Sequence, residues 1–243
     1  MNPSIQEIRK AQEVVYASML PTPQISWPLL CKELGTEVWL KQENHTPVGA
    51  FKIRGGLVYF ADLAASGKAP NGVVCATRGN HGQSVGFAAK KYGIPATVVV
   101  PKGNSAGKNE AMRAFGVELV EHGDDFQESL EFAGNLAKER GLHMVPSFHP
   151  LLVAGVATYS LELFQAMEGL DTLYVPIGLG SGICGAIAAR DALGLETEIV
   201  GVVSTHASAY AQSFKQKRLW NPPLAPNWPM EWPAASPTPM PWK

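Results

Sequence analysis

Short, continuously apolar β-branched runs alternate with amphipathic stretches along most of this chain, and that alternation limits its folds more than any other feature. Candidate strands are Glu37–Leu40, Val73–Ala76, Ala96–Val100, Glu118–Val120, Thr172–Val175 and Glu198–Val203. Helical patterns fall near 5–18, 54–66, 82–92, 106–115, 124–139, 154–168, 183–193 and 206–217. A strand such as Ala-Thr-Val-Val-Val has no polar side to show to water, so it predicts a parallel sheet covered by helices on both faces. The fold class is therefore α/β, in three-layer α/β/α units with mostly parallel sheets. A break near Pro146–Pro150 divides a first sheet unit from a second, and no internal repeat is visible.

Composition removes several function classes. The chain has 243 residues, and Lys+Arg 20 against Asp+Glu 21 leaves a net charge of -1, which offers no electrostatic footprint for nucleic acid or an anionic membrane. No apolar run approaches the roughly 18 residues of a membrane span. The polar start, MNPSIQEIRK, lacks a signal-peptide core. Cys31, Cys75 and Cys184 form an odd set without metal-ligand spacing, which fits a reducing, cytoplasmic setting. Cys75 and Cys184 read as small core residues. His143 and His149 read as isolated side chains.

Three segments carry chemistry. The first, Thr46-Pro47-Val48-Gly49-Ala50-Phe51-Lys52-Ile53-Arg54-Gly55-Gly56, sets a lysine at the mouth of a helix. A desolvated amine there suits Schiff-base chemistry, although taken alone the segment reads first as an ordinary helix-capping cation. The second, Ala76-Thr77-Arg78-Gly79-Asn80-His81-Gly82, follows a strand and opens a helix. Its exposed amides form an anion cradle or simply a tight turn. The third, Pro176-Ile177-Gly178-Leu179-Gly180-Ser181-Gly182, repeats that arrangement. It lacks the Gly-Lys-Ser/Thr of a Walker loop, and Glu198 sits near the spacing of a dinucleotide-site acid, so that alternative stays open here.

In this order the three segments resemble the fold-type II pyridoxal-phosphate enzymes of the tryptophan synthase beta-like and serine racemase-like group, most closely the threonine/serine dehydratases. The resemblance runs from about Ile8 to Arg218. It implies that Lys52 binds pyridoxal 5'-phosphate covalently, that Phe51 packs on its ring, and that Asn80 hydrogen-bonds the ring hydroxyl. It further implies that Gly178, Leu179, Gly180, Ser181 and Gly182 hold the phosphate. Thr77, Arg78, Gly79, Asn80 and His81 would face the carboxylate of a small amino-acid substrate. The implied activity is ammonia-eliminating dehydration, taking threonine to 2-oxobutanoate or serine to pyruvate. β-Replacement of the cysteine synthase type and a non-catalytic remnant stand as alternatives.

Two departures refine the picture. Serine racemases place a serine where this chain has Arg78, and a guanidinium cannot take up a proton, which argues against racemisation. Relatives with a divalent metal use acids after the strand matching Glu198–Val203, whereas Ser204–Tyr210 contains no carboxylate, so no metal is expected. The helix near 154–168 is assigned to packing. The resemblance implies a large domain of 1–47 plus 147–219, a small substrate-binding domain of 48–146, and a homodimer.

The last 24 residues break the pattern, with eight prolines and four of the six tryptophans. Family members continue with a Thr-x-Ala-Asp-Gly-hydrophobic-Ala stretch. Shifting the codons of Trp228–Pro233 by one nucleotide permits Ala-Asp-Gly-Met-Ala, with both alanines and the glycine forced by the genetic code. The expectation is a frameshift near Leu219, loss of the region that pairs with the cofactor's pyridine nitrogen, and a weakened or inactive enzyme.

Overall fold

A computed structural model describes residues 2–69 and 71–219. The Pro/Trp-rich segment 220–243 and its shifted-frame reading lie outside the described residues.

Helix α1 (Ile5–Tyr16) starts in a capping box, in which the Ser4 hydroxyl accepts from the Glu7 amide and the Glu7 carboxylate accepts from the Ser4 amide. Strand β1 (Gln24–Ser26) pairs antiparallel with β2 (Trp39–Lys41), and helix α2 (Pro28–Leu34) lies between them. Helix α3 (Lys52–Ser66) then leads into four alternating units. These are β3 (Val73–Ala76) with α4 (Asn80–Tyr92), β4 (Ala96–Val100) with α5 (Ala106–Arg113), β5 (Glu118–Glu121) with α6 (Phe126–Arg140), and finally β6 (His143–Met144). The four strands form one parallel sheet in the order β5-β4-β3-β6.

The two-residue period of a strand decides which side chain meets which layer. Val73 and Cys75 of β3, with Val98 and Val100 of β4, pack against Phe60, Val85 and Met112 from α3, α4 and α5. Val74, Ala76 and Val99 point the other way, onto Ala133 and Leu136 of α6. The sheet is thus covered on both faces, as the apolar runs require.

Helix α7 (Pro150–Ala166) is the hub between this unit and the second sheet. That sheet pairs β7 (Thr172–Pro176) in parallel with β8 (Glu198–Val202); α8 (Ser181–Ala192) connects them and α9 (Ala209–Gln216) follows. Val175 and Ile177 pack on Ile183 and Ala186 of α8, whereas Tyr174, on the opposite face, is 67% exposed. Helices α3 and α7 approach backbone to backbone, because a Cβ on Gly55 would stand 2.7 Å from the Leu152 carbonyl oxygen. Among the described residues no helix is long and apolar enough to cross a membrane.

The assignment of α7 to packing is incomplete. Arg54, with no exposed surface, forks onto two carboxylates: Nε and Nη2 donate to Glu43 at 2.8 and 2.9 Å, and Nη1 and Nη2 donate to Glu162 of α7 at 2.6 and 3.0 Å. Nη1 also donates to Thr158, and Lys41 Nζ pairs with Glu162 at 2.7 Å. Two cations and two anions therefore balance in a buried cluster that joins β2, α3 and α7. The isolated reading of His143 and His149 is also corrected: His143 Nε2 lies 2.8 Å from the Tyr59 hydroxyl, and the His149 ring meets Tyr59 edge-on at 5.1 Å. Both histidines stand beside the β3–β6 edge, where the parallel pairing Val73–His143 brings β6 to α3.

Candidate active site

Ligands of open parallel sheets bind outside the carboxyl ends of the strands. Here the ends of β3 and β7 and the start of α3 converge on one cleft of about 400 Å³. Each of the twelve residues proposed from the sequence lines it: Phe51 and Lys52, Thr77 through His81, and Gly178 through Gly182.

Lys52 is the first residue of α3, and its Nζ donates to the Ser181 hydroxyl at 2.9 Å, across 129 residues of sequence. Burial pushes its amine down to about 8, so about a tenth is neutral at pH 7, far more than for an ordinary lysine. The Lys52 carbonyl accepts from the Ser84 hydroxyl at 2.7 Å, which ties α3 to α4 at the lysine itself. Phe51 lies 5.9 Å, centroid to centroid, from Tyr159 of α7. Burial raises the Tyr159 phenol to about 12, which keeps it neutral.

The loop after β7 turns sharply. Gly180 caps α8 with φ 97°, a left-handed conformation that a side chain would strain. The first α8 bond runs from the Cys184 amide to the Gly180 carbonyl at 3.0 Å, so the amides of Ser181, Gly182 and Ile183 precede the helical ladder. Those amides, the Ser181 hydroxyl and the positive end of α8 point donors and partial positive charge into the cleft, the arrangement that favours an anion.

The second helix start differs. The Gly79 amide donates to Thr77 Oγ1 at 3.0 Å, so it is already engaged, and the α4 ladder begins with the Gln83 amide on the Gly79 carbonyl. This leaves the Asn80, His81 and Gly82 amides at the helix mouth. The His81 imidazole is held neutral, pushed down to about 3 first by burial and then by the Lys52 charge. His81 Nε2 and Arg78 Nε are removed from solvent with no hydrogen-bond partner among the described residues. Two orphaned polar nitrogens in one cleft call for a partner that the described residues do not supply.

Sequence reasoning missed Lys108, Ser147 and Tyr210, which also line the cleft. Lys108 follows the carboxyl end of β4, so the strand-end rule applied to every strand would have found it. Ser147 and Tyr210 carry no such local signal.

Comparison with known proteins supplies the remaining chemistry. A sequence profile for the family described as pyridoxal-phosphate dependent enzyme matches residues 16–243. The biosynthetic L-threonine dehydratase of Haemophilus influenzae is 35% identical over 201 residues, which are 82% of this chain and 39% of that protein. The L-threo-3-hydroxyaspartate ammonia-lyase of Saccharomyces cerevisiae is 30% identical over 88% of this chain and 65% of its own length. Among solved structures, maize serine racemase superposes with a TM-score of 0.85 at 28% identity, covering 90% of this chain and 67% of that one. The chain thus spans about two fifths of its first curated relative, and its mixed α/β architecture is that of the fold-type II enzymes. On the profile match over nearly its whole length, the chain belongs to the pyridoxal-phosphate dependent enzyme family, whose cofactor is pyridoxal 5'-phosphate.

Proposed function

We propose that this chain catalyses the ammonia-eliminating dehydration of a β-hydroxy amino acid, threonine to 2-oxobutanoate or serine to pyruvate. The observation that carries the reading is the 2.9 Å hydrogen bond from Lys52 Nζ to Ser181, which holds a buried amine at the mouth of an anion-binding helix. The donor set suits pyridoxal phosphate on its own terms. The amine is of lowered pKa, the α8 amides are free of the helical ladder, and the missing Cβ of Gly182 leaves the space 3.5 Å from Phe51 Cζ open. Lys52 would hold the cofactor, Phe51 would flank its ring, Asn80 would reach the ring hydroxyl, and Gly178–Gly182 would bind the phosphate.

When bound, the cofactor supplies an electron sink for the pair left on the substrate's α-carbon. The protein's share is positioning and proton transfer. The amides of Asn80 and His81, with the Thr77 hydroxyl, hold the substrate α-carboxylate, and Arg78 faces the same substrate; Gly79 shapes the turn that aims them. Lys52 Nζ, neutral in part because it is buried, accepts the α-proton. His81 stays uncharged, so its contribution to an anion is its amide and its Nε2. The two sheet units, 48–146 and 1–47 with 147–219, would form two domains flanking the cleft. A cytoplasmic homodimer belongs to the same proposal.

The test is direct. The purified chain is loaded with pyridoxal phosphate, reduced with borohydride and mapped by mass spectrometry, beside Lys52→Ala. Threonine and serine are then assayed for 2-oxo acid and ammonia, with sulfide added in a parallel reaction. Cofactor mass on Lys52 and 2-oxo acid release support the reading. Sulfide-dependent product without 2-oxo acid identifies a β-replacement enzyme, and absence of both identifies a remnant.

A further inference from the structure

We infer that the cleft selects a β-hydroxy amino acid whose side chain carries a second carboxylate, and that Arg78 is the residue that binds it. The inference rests on the proposed function, because it names the substrate of that same cleft. The two relatives named above differ over substrate, so the selection has to be read from this chain's own side chains.

Arg78 follows Thr77 at the carboxyl end of β3 and lines the cleft. It is half-buried, and its Nε is removed from solvent without a partner. Arg54 shows what a buried guanidinium requires in this protein: two carboxylates and two hydroxyls meet its donors. Arg78 has no such set among the described residues, and no aspartate or glutamate lines the cleft. A second cation stands on the same wall, since Lys108 Cδ lies 2.8 Å from where a Cβ on Gly79 would be.

Charge accounting then assigns the groups. The phosphate of the cofactor has the α8 amides, and the α-carboxylate common to all amino acids has the α4 amides and Thr77. The guanidinium of Arg78 is surplus to both. Its planar fork matches a carboxylate in a way that neither the methyl of threonine nor the hydrogen of serine can use. The shortest substrate that satisfies it is 3-hydroxyaspartate. Its reaction balances without any further reagent: the α-proton and the β-hydroxyl leave as water, the resulting enamine takes up water and releases ammonia, and a 2-oxo dicarboxylic acid remains.

The experiment uses the cofactor-loaded full chain, Arg78→Gln and Arg78→Lys. Unreactive succinate and butyrate are titrated by calorimetry and by the cofactor's visible absorbance. The kcat/KM for 3-hydroxyaspartate and threonine is measured in parallel. Succinate should bind about tenfold or more tighter than butyrate, the scale of one hydrogen bond between charged groups. The diacid should be the better substrate, and Arg78→Gln should lose that preference while Arg78→Lys keeps part of it. Equal binding of succinate and butyrate by the unmodified protein, or an unchanged preference in Arg78→Gln, overturns the inference. Turnover of threonine without preference for the diacid sinks this inference and spares the dehydratase reading. No cofactor uptake and no 2-oxo acid from either amino acid sinks both.

Discussion

Replacing Glu162 by glutamine removes one charge from a largely buried cluster of two cations and two anions. In the native protein Glu162 accepts two bonds from Arg54, one from Tyr16 and one from Lys41. The substitution leaves two cations against the single carboxylate of Glu43, which pairs with Arg54, and Arg54 has no exposed surface through which to escape. Breaking one partner of a buried pair costs about 3–5 kcal/mol. That is a large part of the roughly 5–15 kcal/mol that stabilises a typical domain. At about 2–4 °C per kcal/mol for a chain of this size, the midpoint should fall by about 6–20 °C. Urea unfolding followed by far-ultraviolet circular dichroism measures the loss directly. Adding Lys41→Met removes one charge of each sign and restores balance around Arg54 and Glu43, so the double variant should recover part of the deficit. A loss below about 1 kcal/mol, or a double variant weaker by the full sum of the singles, would refute the reasoning. The same cluster sets an acid limb. Burial favours the protonated Glu162, but Arg54 and Lys41 outweigh it and hold the carboxyl below its ordinary value. Its stabilisation is therefore complete above the ordinary carboxylate range and is lost as pH falls through the folded value, a limb that Glu162→Gln should flatten.

The other expectations concern the cleft and the helix crossing. Because burial lowers Lys52 from 10.5 to about 8, the unfolded chain binds more protons between those values, and stability of the cofactor-free protein should rise with pH across that window. Lys52→Met should remove the rise and prevent cofactor attachment, and pH-dependent denaturation curves would show it. Gly55→Ala drives a Cβ to 2.7 Å from the Leu152 carbonyl oxygen, so α3 and α7 must separate at a cost of about 1–3 kcal/mol, read from chemical denaturation. Gly180→Ala places a side chain at φ 97° and should cost about 1–2 kcal/mol while weakening phosphate binding, measured by titration with inorganic phosphate.

The sheet core was legible because β3 and β4 bury every side chain, with Thr97, whose hydroxyl donates to Glu118, the one polar position in either run. The helix starts were less so. The sequence suggests beginnings near 54, 82, 154 and 183, whereas α3, α4, α7 and α8 begin at Lys52, Asn80, Pro150 and Ser181. First turns rich in glycine and polar residues carry no apolar period, and those are the turns on which Lys52, Asn80 and Ser181 sit. Helix α2 escaped notice although Pro28 at its first position and the left-handed Gly35 at its end are ordinary signals. Its leucines do not report a core, since Leu29 is 83% exposed. Strand β6, two residues long, exists only because β3 offers it an edge. The acid of Glu162 reaches Arg54 and Lys41 through tertiary contacts that no local pattern encodes.

The Arg54 cluster also imposes a schedule on synthesis. Glu162 lies 108 residues beyond Arg54. At about 5–20 residues per second a ribosome delivers it about 5–20 s later. Throughout that interval Arg54 has only part of its carboxylate set and is better kept in water. Helix α3 cannot settle in its finished place, and Ile53, Leu57 and Phe60, all fully buried in the native protein, stay within reach of solvent. The nascent chain therefore presents α3 as an exposed apolar segment until α7 emerges, the kind of surface a chaperone holds.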